Sequence, residues 1–243
     1  MSGSSESEKW LVASLRLTVF PAPDTDQDKI LKWKEVIGEV PENSVNHPKA
    51  GVFQESGKYG KGIMTLNMAP GRIDWLFNPL IKSDSLLDSF PNIGELSITV
   101  EQFKLFGLAW LKSIHPLTRM AFGANLILPS ESQKTAYEVL GRYLHGVKID
   151  PDSSDFSYSI NRTRPTKLAL PGVKINRLSK WQAIMLLLSA NDVTRQTNFA
   201  CNLELDINTA PSPRLEIGKD DIGPLFEEFI DLGVEIAREG DVP

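Results

Sequence analysis

Residues 156–188, FSYSINRTRPTKLALPGVKINRLSKWQAIMLLL, say the same thing twice. Ile160-Asn161-Arg162 returns as Ile175-Asn176-Arg177, and the connection between the copies carries Pro165, Pro171 and Gly172. Strand-forming residues interrupted by the two residue types that break strands spell a pair of adjacent antiparallel strands. The same stretch holds Arg162, Arg164, Lys167, Lys174, Arg177 and Lys180 with no acidic residue, in a chain whose formal net charge is -5. A basic β-hairpin in an acidic protein is the expectation from which fold and site are read outward.

C-terminal to the hairpin, Phe199, Cys201, Leu203, Leu205 and Ile207 alternate with Ala200, Asn202, Glu204, Asp206 and Asn208. That is the period-two pattern of a strand covered on one face. A helix is predicted over about 221–238, with Leu225, Phe226, Phe229, Ile230, Gly233 and Ile236 on its apolar side. N-terminal to the hairpin, residues 117–128 read as a strand with Met120, Phe122, Ala124, Leu126 and Leu128 on one side. Ser130 and Gln133 have capping-box spacing before a helix whose buried face includes Ala136, Tyr137, Leu140 and Tyr143. Strands at 155–162, 173–188 and 199–208 complete this half.

The first half follows the same grammar. A strand closed by Pro21 and Pro23 carries Leu11, Ala13, Leu15, Leu17 and Val19 on one face, and a short helix over 27–38 presents Ile30, Trp33 and Ile37. Three strands follow at 50–57, 62–69 and 71–78, turned at Gly57-Lys58-Tyr59-Gly60 and at Pro70-Gly71. Thr99 and Gln102 mark a capping-box start for a helix running to Ile114, its stripe formed by Val100, Phe103, Phe106, Trp110 and Leu111. The expected fold class is α+β: a duplicated strand-helix-three-strand-helix unit, with halves at 9–114 and 117–240 after a disordered tail at 1–8. The halves would join into one pseudo-symmetric domain, a curved antiparallel sheet with long amphipathic helices packed on one face. This order of elements resembles the duplicated folds of TATA-box-binding-protein-like and helix-grip domains. Those folds bind nucleic acid, small ligands or proteins, so the resemblance implies an architecture and leaves the function to the site.

Composition removes several classes. The 41% hydrophobic and 23% charged fractions are those of a globular chain, which excludes disordered and fibrous proteins. A single cysteine, Cys201, rules out a disulfide within the chain. The longest apolar run, Ala183 to Leu188, is far short of the roughly 20 residues of a membrane span. The polar, acidic opening is unlike a signal peptide, so the cytoplasm is the expected location.

The candidate binding residues are Arg162, Arg164, Lys174, Arg177 and Lys180, with Phe156, Tyr158 and Trp181 among them. Cations interleaved with aromatics suit an anionic partner. Two facts weigh on the other side. Residues 215–243 hold nine acids against Lys219 and Arg238 and could neutralise the hairpin, and strand alternation could send its cations to opposite faces. Lys58 and Lys61, in Gly57-Lys-Tyr-Gly-Lys-Gly62, would be secondary contacts; the turn lacks the Gly-Lys-Ser/Thr ending and following helix of a P-loop. Asp24, Asp26, Asp28 and Glu35 have the spacing of a calcium loop, but Lys29 stands where glycine is required, so they read as charges at a helix N-terminus. Asp150, Asp152 and Asp155 read as turn chemistry. His47, His115 and His145 lack ligand spacing, and Cys201 lies on an apolar strand face. Arg72 and Asp74 could pair on one strand face, and Trp75, Trp110 and Trp181 could line a groove.

No nucleophile elbow, kinase set, dinucleotide fingerprint or zinc pattern is present, so neither cofactor, metal nor catalysis is expected. The expectation is a cytoplasmic, non-catalytic binding protein or accessory subunit that engages a macromolecular partner, first of all a protein, through the basic hairpin. The alternative is a small-ligand sensor with a pocket between sheet and long helices, and nucleic-acid binding is third. The first reading predicts that Arg162→Glu with Arg177→Glu abolishes binding and leaves folding intact.

Overall fold

Strand β1 (Leu11–Pro21) lies in the middle of the molecule, with β5 (Arg72–Pro79) on one side and β6 (Leu117–Ser130) on the other. The computed structural model describes residues 9–26, 29–81, 89–190, 193–212 and 215–242. Around β1 the sheet runs β2 (Asn43–His47), β3 (Val52–Tyr59), β4 (Gly62–Ala69), β5, β1, β6, β10 (Val193–Thr209), β9 (Lys174–Ala190), β7 (Ser157–Asn161). The two-residue β8 (Arg164–Pro165) also pairs with β9, and every pairing is antiparallel. With α1 (Trp33–Ile37), α2 (Leu96–Leu111), α3 (Gln133–Tyr143) and α4 (Lys219–Glu239), the fold is α+β with one large antiparallel sheet.

Alternation decides which side of each strand is buried. Leu15, Leu17 and Val19 of β1 are buried, as are Trp75 and Phe77 of β5, Phe122, Leu126 and Leu128 of β6, and Cys201, Leu203, Leu205 and Ile207 of β10. Leu17 sits opposite Trp75 and Phe122, so the buried rows line up across the strands. Against them stand Phe103, Phe106 and Trp110 of α2 and Phe226 and Phe229 of α4. Phe226 lies 6.5 Å from Phe103 and 6.3 Å from Phe122, ring centre to ring centre. Gly107 lets α2 come this close, because a Cβ there would collide with the Phe226 ring.

Several local expectations shift. β2 carries no apolar alternation, and every residue in it is exposed; backbone pairing to β3 defines it. α1 is only one turn, Trp33–Ile37, and residues 27–28 of its expected start lie outside the described residues, as does the tail at 1–8. α2 begins three residues before Thr99, whose backbone N–H already donates to the Glu95 carbonyl and whose side chain is buried in the first turn. It also stops at Leu111, before Ile114. Ser130 stays in β6 opposite Phe199; Ser132 caps α3 instead, its hydroxyl accepting from the Thr135 N–H at 3.1 Å. The turn between β3 and β4 is Gly60-Lys61, while Gly57 is a buried strand residue against Trp33.

The three tryptophans do not line a groove. Trp75 and Trp110 lie 6.0 Å apart in the first half, whereas Trp181 stacks on Tyr143 at 5.5 Å in the second, and all three are fully buried. A separate small cluster forms on the opposite side of the sheet, where Phe90, Ile127 and Ala200 pack with Leu11, Ala13, Ile184 and Leu186.

Candidate functional site

The basic stretch pairs antiparallel across β7 and β9, Ile160 opposite Ser179 and the Arg162 N–H donating to the Arg177 carbonyl at 3.3 Å. Alternation then splits its cations. Ile175, Arg177, Ser179 and Trp181 of β9 are buried on the helix side, while Asn176, Leu178, Lys180 and Gln182 point the other way.

On the helix side, the arginines meet the C-terminal segment. Arg162 grips Asp241 with Nε at 2.6 Å and Nη2 at 2.9 Å, and the Tyr158 hydroxyl donates to the same carboxylate at 2.8 Å. Arg164 and Arg177 each reach Glu235 with Nη2 at 3.5 Å. Glu228, also buried, accepts from the Thr166 hydroxyl and, at 2.9 Å, from the Lys167 N–H. Hydrogen bonding from Arg162 holds the Asp241 carboxyl below its usual range, with a further contribution from Tyr158. Burial pushes the Arg177 guanidinium down, and neighbouring Arg164 adds to the shift against the pull of Glu235. Arg177 exposes only 3% of its side chain, so a reversal there would put a carboxylate beside Glu235 in the interior. The paired reversal of Arg162 and Arg177 is therefore a test of folding, which corrects the expectation that it would leave the fold intact.

Lys174 and Lys180 lie on the other side of β9. Lys174 is exposed, and Lys180 Nζ is 3.5 Å from Glu204. This side of the sheet is polar across much of its width. Arg16 of β1 sits opposite Gly123 of β6, which sits opposite Asp206 of β10. A Cβ on Gly123 would lie 3.1 Å from Arg16 Nε, so glycine leaves room for the guanidinium to cross β6, and Nη2 reaches Asp206 at 3.4 Å. Asp206 also accepts from Asn208 at 3.0 Å, Asn208 from Asn176 at 3.1 Å, and Asn176 from Asn161 at 3.2 Å and Thr163 at 2.9 Å. One chain of hydrogen bonds thus runs from the edge of the sheet to its centre. On β5, Arg72 clasps Asp74 at 2.8 and 2.9 Å, forming the pair expected for that strand.

Between these groups is a groove of about 400 Å³ whose polar lining includes Ser14, Arg16, Asn125, Lys180, Glu204 and Asp206. Among the described residues, Arg16 Nε and Asn125 Oδ1 are buried there without a hydrogen-bond partner. Register extends the row in both directions: Ser14 faces Asn125, then Glu204, Lys180 and Ser159. On the far side, Asn78 faces Ile63 and Ile63 faces Lys58. Lys58 and Lys180 therefore share a face, six strand spacings or roughly 25–30 Å apart. Lys61 is exposed in the turn beyond Lys58.

The remaining candidates have structural partners. Asp26 pairs with Lys29 at 3.1 Å, the Glu35 carboxylate accepts from the Lys32 N–H at 3.0 Å, and Asp28 lies outside the described residues. Asp150 accepts from the Asp152 N–H at 3.0 Å, closing a turn. Cys201 is buried, its thiol donating to the Ala136 carbonyl at 3.1 Å. His47, His115 and His145 are exposed on separate elements. Among the described residues, no three His, Cys, Asp or Glu side chains come together to hold a metal ion, and no helix is long and apolar enough to cross a membrane.

No protein-family model matches the chain, and no curated protein matches its sequence. Sequence reasoning found the pairing of β7 with β9 but missed the open face. The signal was present in the second member of each alternating pair, Arg16, Asn125, Glu204 and Asp206, which only strand order could bring together.

Proposed function

We propose that the chain is a non-catalytic, cytoplasmic binding protein, an accessory subunit that docks a protein partner on the open polar face of its sheet. In this reading, Lys180 is the hairpin's contribution to the surface, and Lys58, Lys61 and Lys174 flank it. The observation that supports it is the groove with its two orphaned polar atoms, Arg16 Nε and Asn125 Oδ1, in the middle of a face bearing both signs of charge. Buried polar groups are normally satisfied, so such atoms favour an incoming donor or acceptor. Mixed charge favours a protein over a polyanion, which would meet Glu204 and Asp206 as well as the lysines. We read the two halves as copies of one unit meeting along β1 and β6, an arrangement supported by the recurring order of strand, helix, strands and helix.

The experiment is capture from cell extract with wild type, Lys58→Glu/Lys180→Glu, and Arg238→Glu on the exposed surface of α4, all matched for melting temperature. A protein species retained by wild type and Arg238→Glu but lost by the double variant is the expected result. Retention by all three would overturn the reading, and capture of nucleic acid that weakens steeply with salt would replace it with the polyanion alternative.

The groove itself supports a second reading. Its volume falls within the range of small-ligand sites, although it opens on the sheet face, whereas the side between sheet and helices is filled by Phe103, Phe122, Phe226 and their neighbours. A polar compound that raises the melting temperature of wild type, but not of Arg16→Ala, would favour it.

A further inference from the structure

The β9–β10 hairpin is longer than the sheet around it. β10 pairs with β6 only over Phe199–Asn208, and β7 pairs with β9 only over Leu178–Gln182. Beyond those limits the two strands continue together to Ala190 and Val193 as a two-stranded ribbon, and among the described residues neither has an outer neighbour. Such a ribbon is marginal alone, and its unpaired N–H and C=O groups are a template for another strand.

The two edges of the ribbon are not equally guarded. β10 has a register shift between Thr194 and Gln196, a device that discourages strand addition. From Ala183 to Leu188, β9 has none. From Trp181 to Ala190 there is no charge, no proline and no glycine. Ile184 and Leu186 pack into the small cluster with Phe90 and Ile127, whereas Met185 and Leu187 each remain 55% exposed.

We propose that the outer edge of β9 from Ala183 onward pairs with the same edge of a second copy, antiparallel about a twofold axis, so that the sheet continues through a dimer. The occupant follows from charge and symmetry. A register centred on Leu186 places Met185 opposite Leu187 of the other copy, so apolar side chains meet apolar side chains. Two chains of net charge -5 repel, and this uncharged edge is a surface on which they approach without opposing like charges. Antiparallel self-pairing is also closed, which ends assembly at two copies. A contact one strand long falls below the roughly 1,200 Å² typical of stable complexes, so the dimer depends on concentration.

Sedimentation velocity across a wide concentration range tests this with wild type, Met185→Lys/Leu187→Lys and, as a control, Leu105→Lys, which alters an even more exposed apolar residue on α2. Wild type and the control should pass from one to two chain masses as concentration rises, and the edge variant should need roughly tenfold more protein or more. A wild type that stays monomeric, or a dimer unaffected by the edge lysines, overturns the proposal. Hydrogen exchange on wild type gives a readout free of any folding defect in the variant. Amides over 183–187 should gain protection with concentration, and unchanged protection would refute the pairing. Lys58→Glu/Lys180→Glu should dimerise like wild type, which separates this interface from the partner-binding face.

Discussion

Arg177 and Lys180 are three residues apart on one strand and live in different environments. Arg177 is buried beneath α4 and committed to Glu235, while Lys180 stands on the open face beside Glu204. A stretch that reads as one basic patch is thus two half-sets, because a strand turns successive side chains to opposite sides. The helix-facing set is neutralised within the chain, whereas on the outward side Lys174 is exposed and Lys180 lies 3.5 Å from Glu204. The contrast extends over the centre of the sheet: one side is closed by aromatic packing, while the other carries a chain of side-chain hydrogen bonds from Arg16 to Asn161 beside the small apolar cluster around Ile127.

Four substitutions bear on this contrast, in falling order of effect. Phe226→Ala removes a ring packed between α2 and β6 and should cost about 3–5 kcal/mol in denaturant unfolding. Arg177→Glu should cost about 3 kcal/mol, since it puts a buried carboxylate against the half-buried Glu235; a loss below about 1 kcal/mol would mean that the helix side is no more committed than the open side.

Asp241→Asn should cost about 1–2 kcal/mol at neutral pH, because it weakens the charge-assisted bonds from Arg162 and Tyr158. Its pH dependence has a definite sign. The folded carboxyl is held below its ordinary value, so its contribution is complete above the unfolded value of about 4 and is lost as pH falls through the folded one. Wild type and variant should therefore converge in acid unfolding, and a gap constant down to low pH would contradict the ion pair. Lys180→Glu, on the outward side of the same strand, should shift stability by no more than about 0.5 kcal/mol while affecting partner capture.

Elements whose local pattern and tertiary role agree were readable from the chain. β10 alternates in sequence because one face meets the core along most of its length, and the Asn-Arg repeat marked the pairing of β7 with β9. β2 was not readable: Asn43-Ser-Val-Asn-His47 has no buried face, and only the neighbouring strand makes it one. Thr99 had the spacing of a cap yet lies inside α2, because Glu95 starts the helix one turn earlier. The fate of the arginines depended on where α4 ends, a tertiary fact absent from the hairpin's own residues. The open face stayed hidden for the same reason, since Ser14, Asn125 and Glu204 are more than a hundred residues apart at the extremes and become neighbours only through the β1–β6–β10 order.

That central placement of β1 also sets an order of events. β1 leaves the ribosome before either strand it pairs with: Leu17 waits for Trp75 on one side and for Phe122 on the other. Closing the second of these spans about a hundred residues, at an entropic cost of roughly 4 kcal/mol that no local turn offsets. The β3–β4–β5 meander and the β9–β10 hairpin form from neighbours in sequence, whereas the seam through β1 and β6 must be found across the chain. The seam between β1 and β6 thus becomes possible once β6 is made, whereas the other side of β6 waits for Phe199–Asn208 of β10.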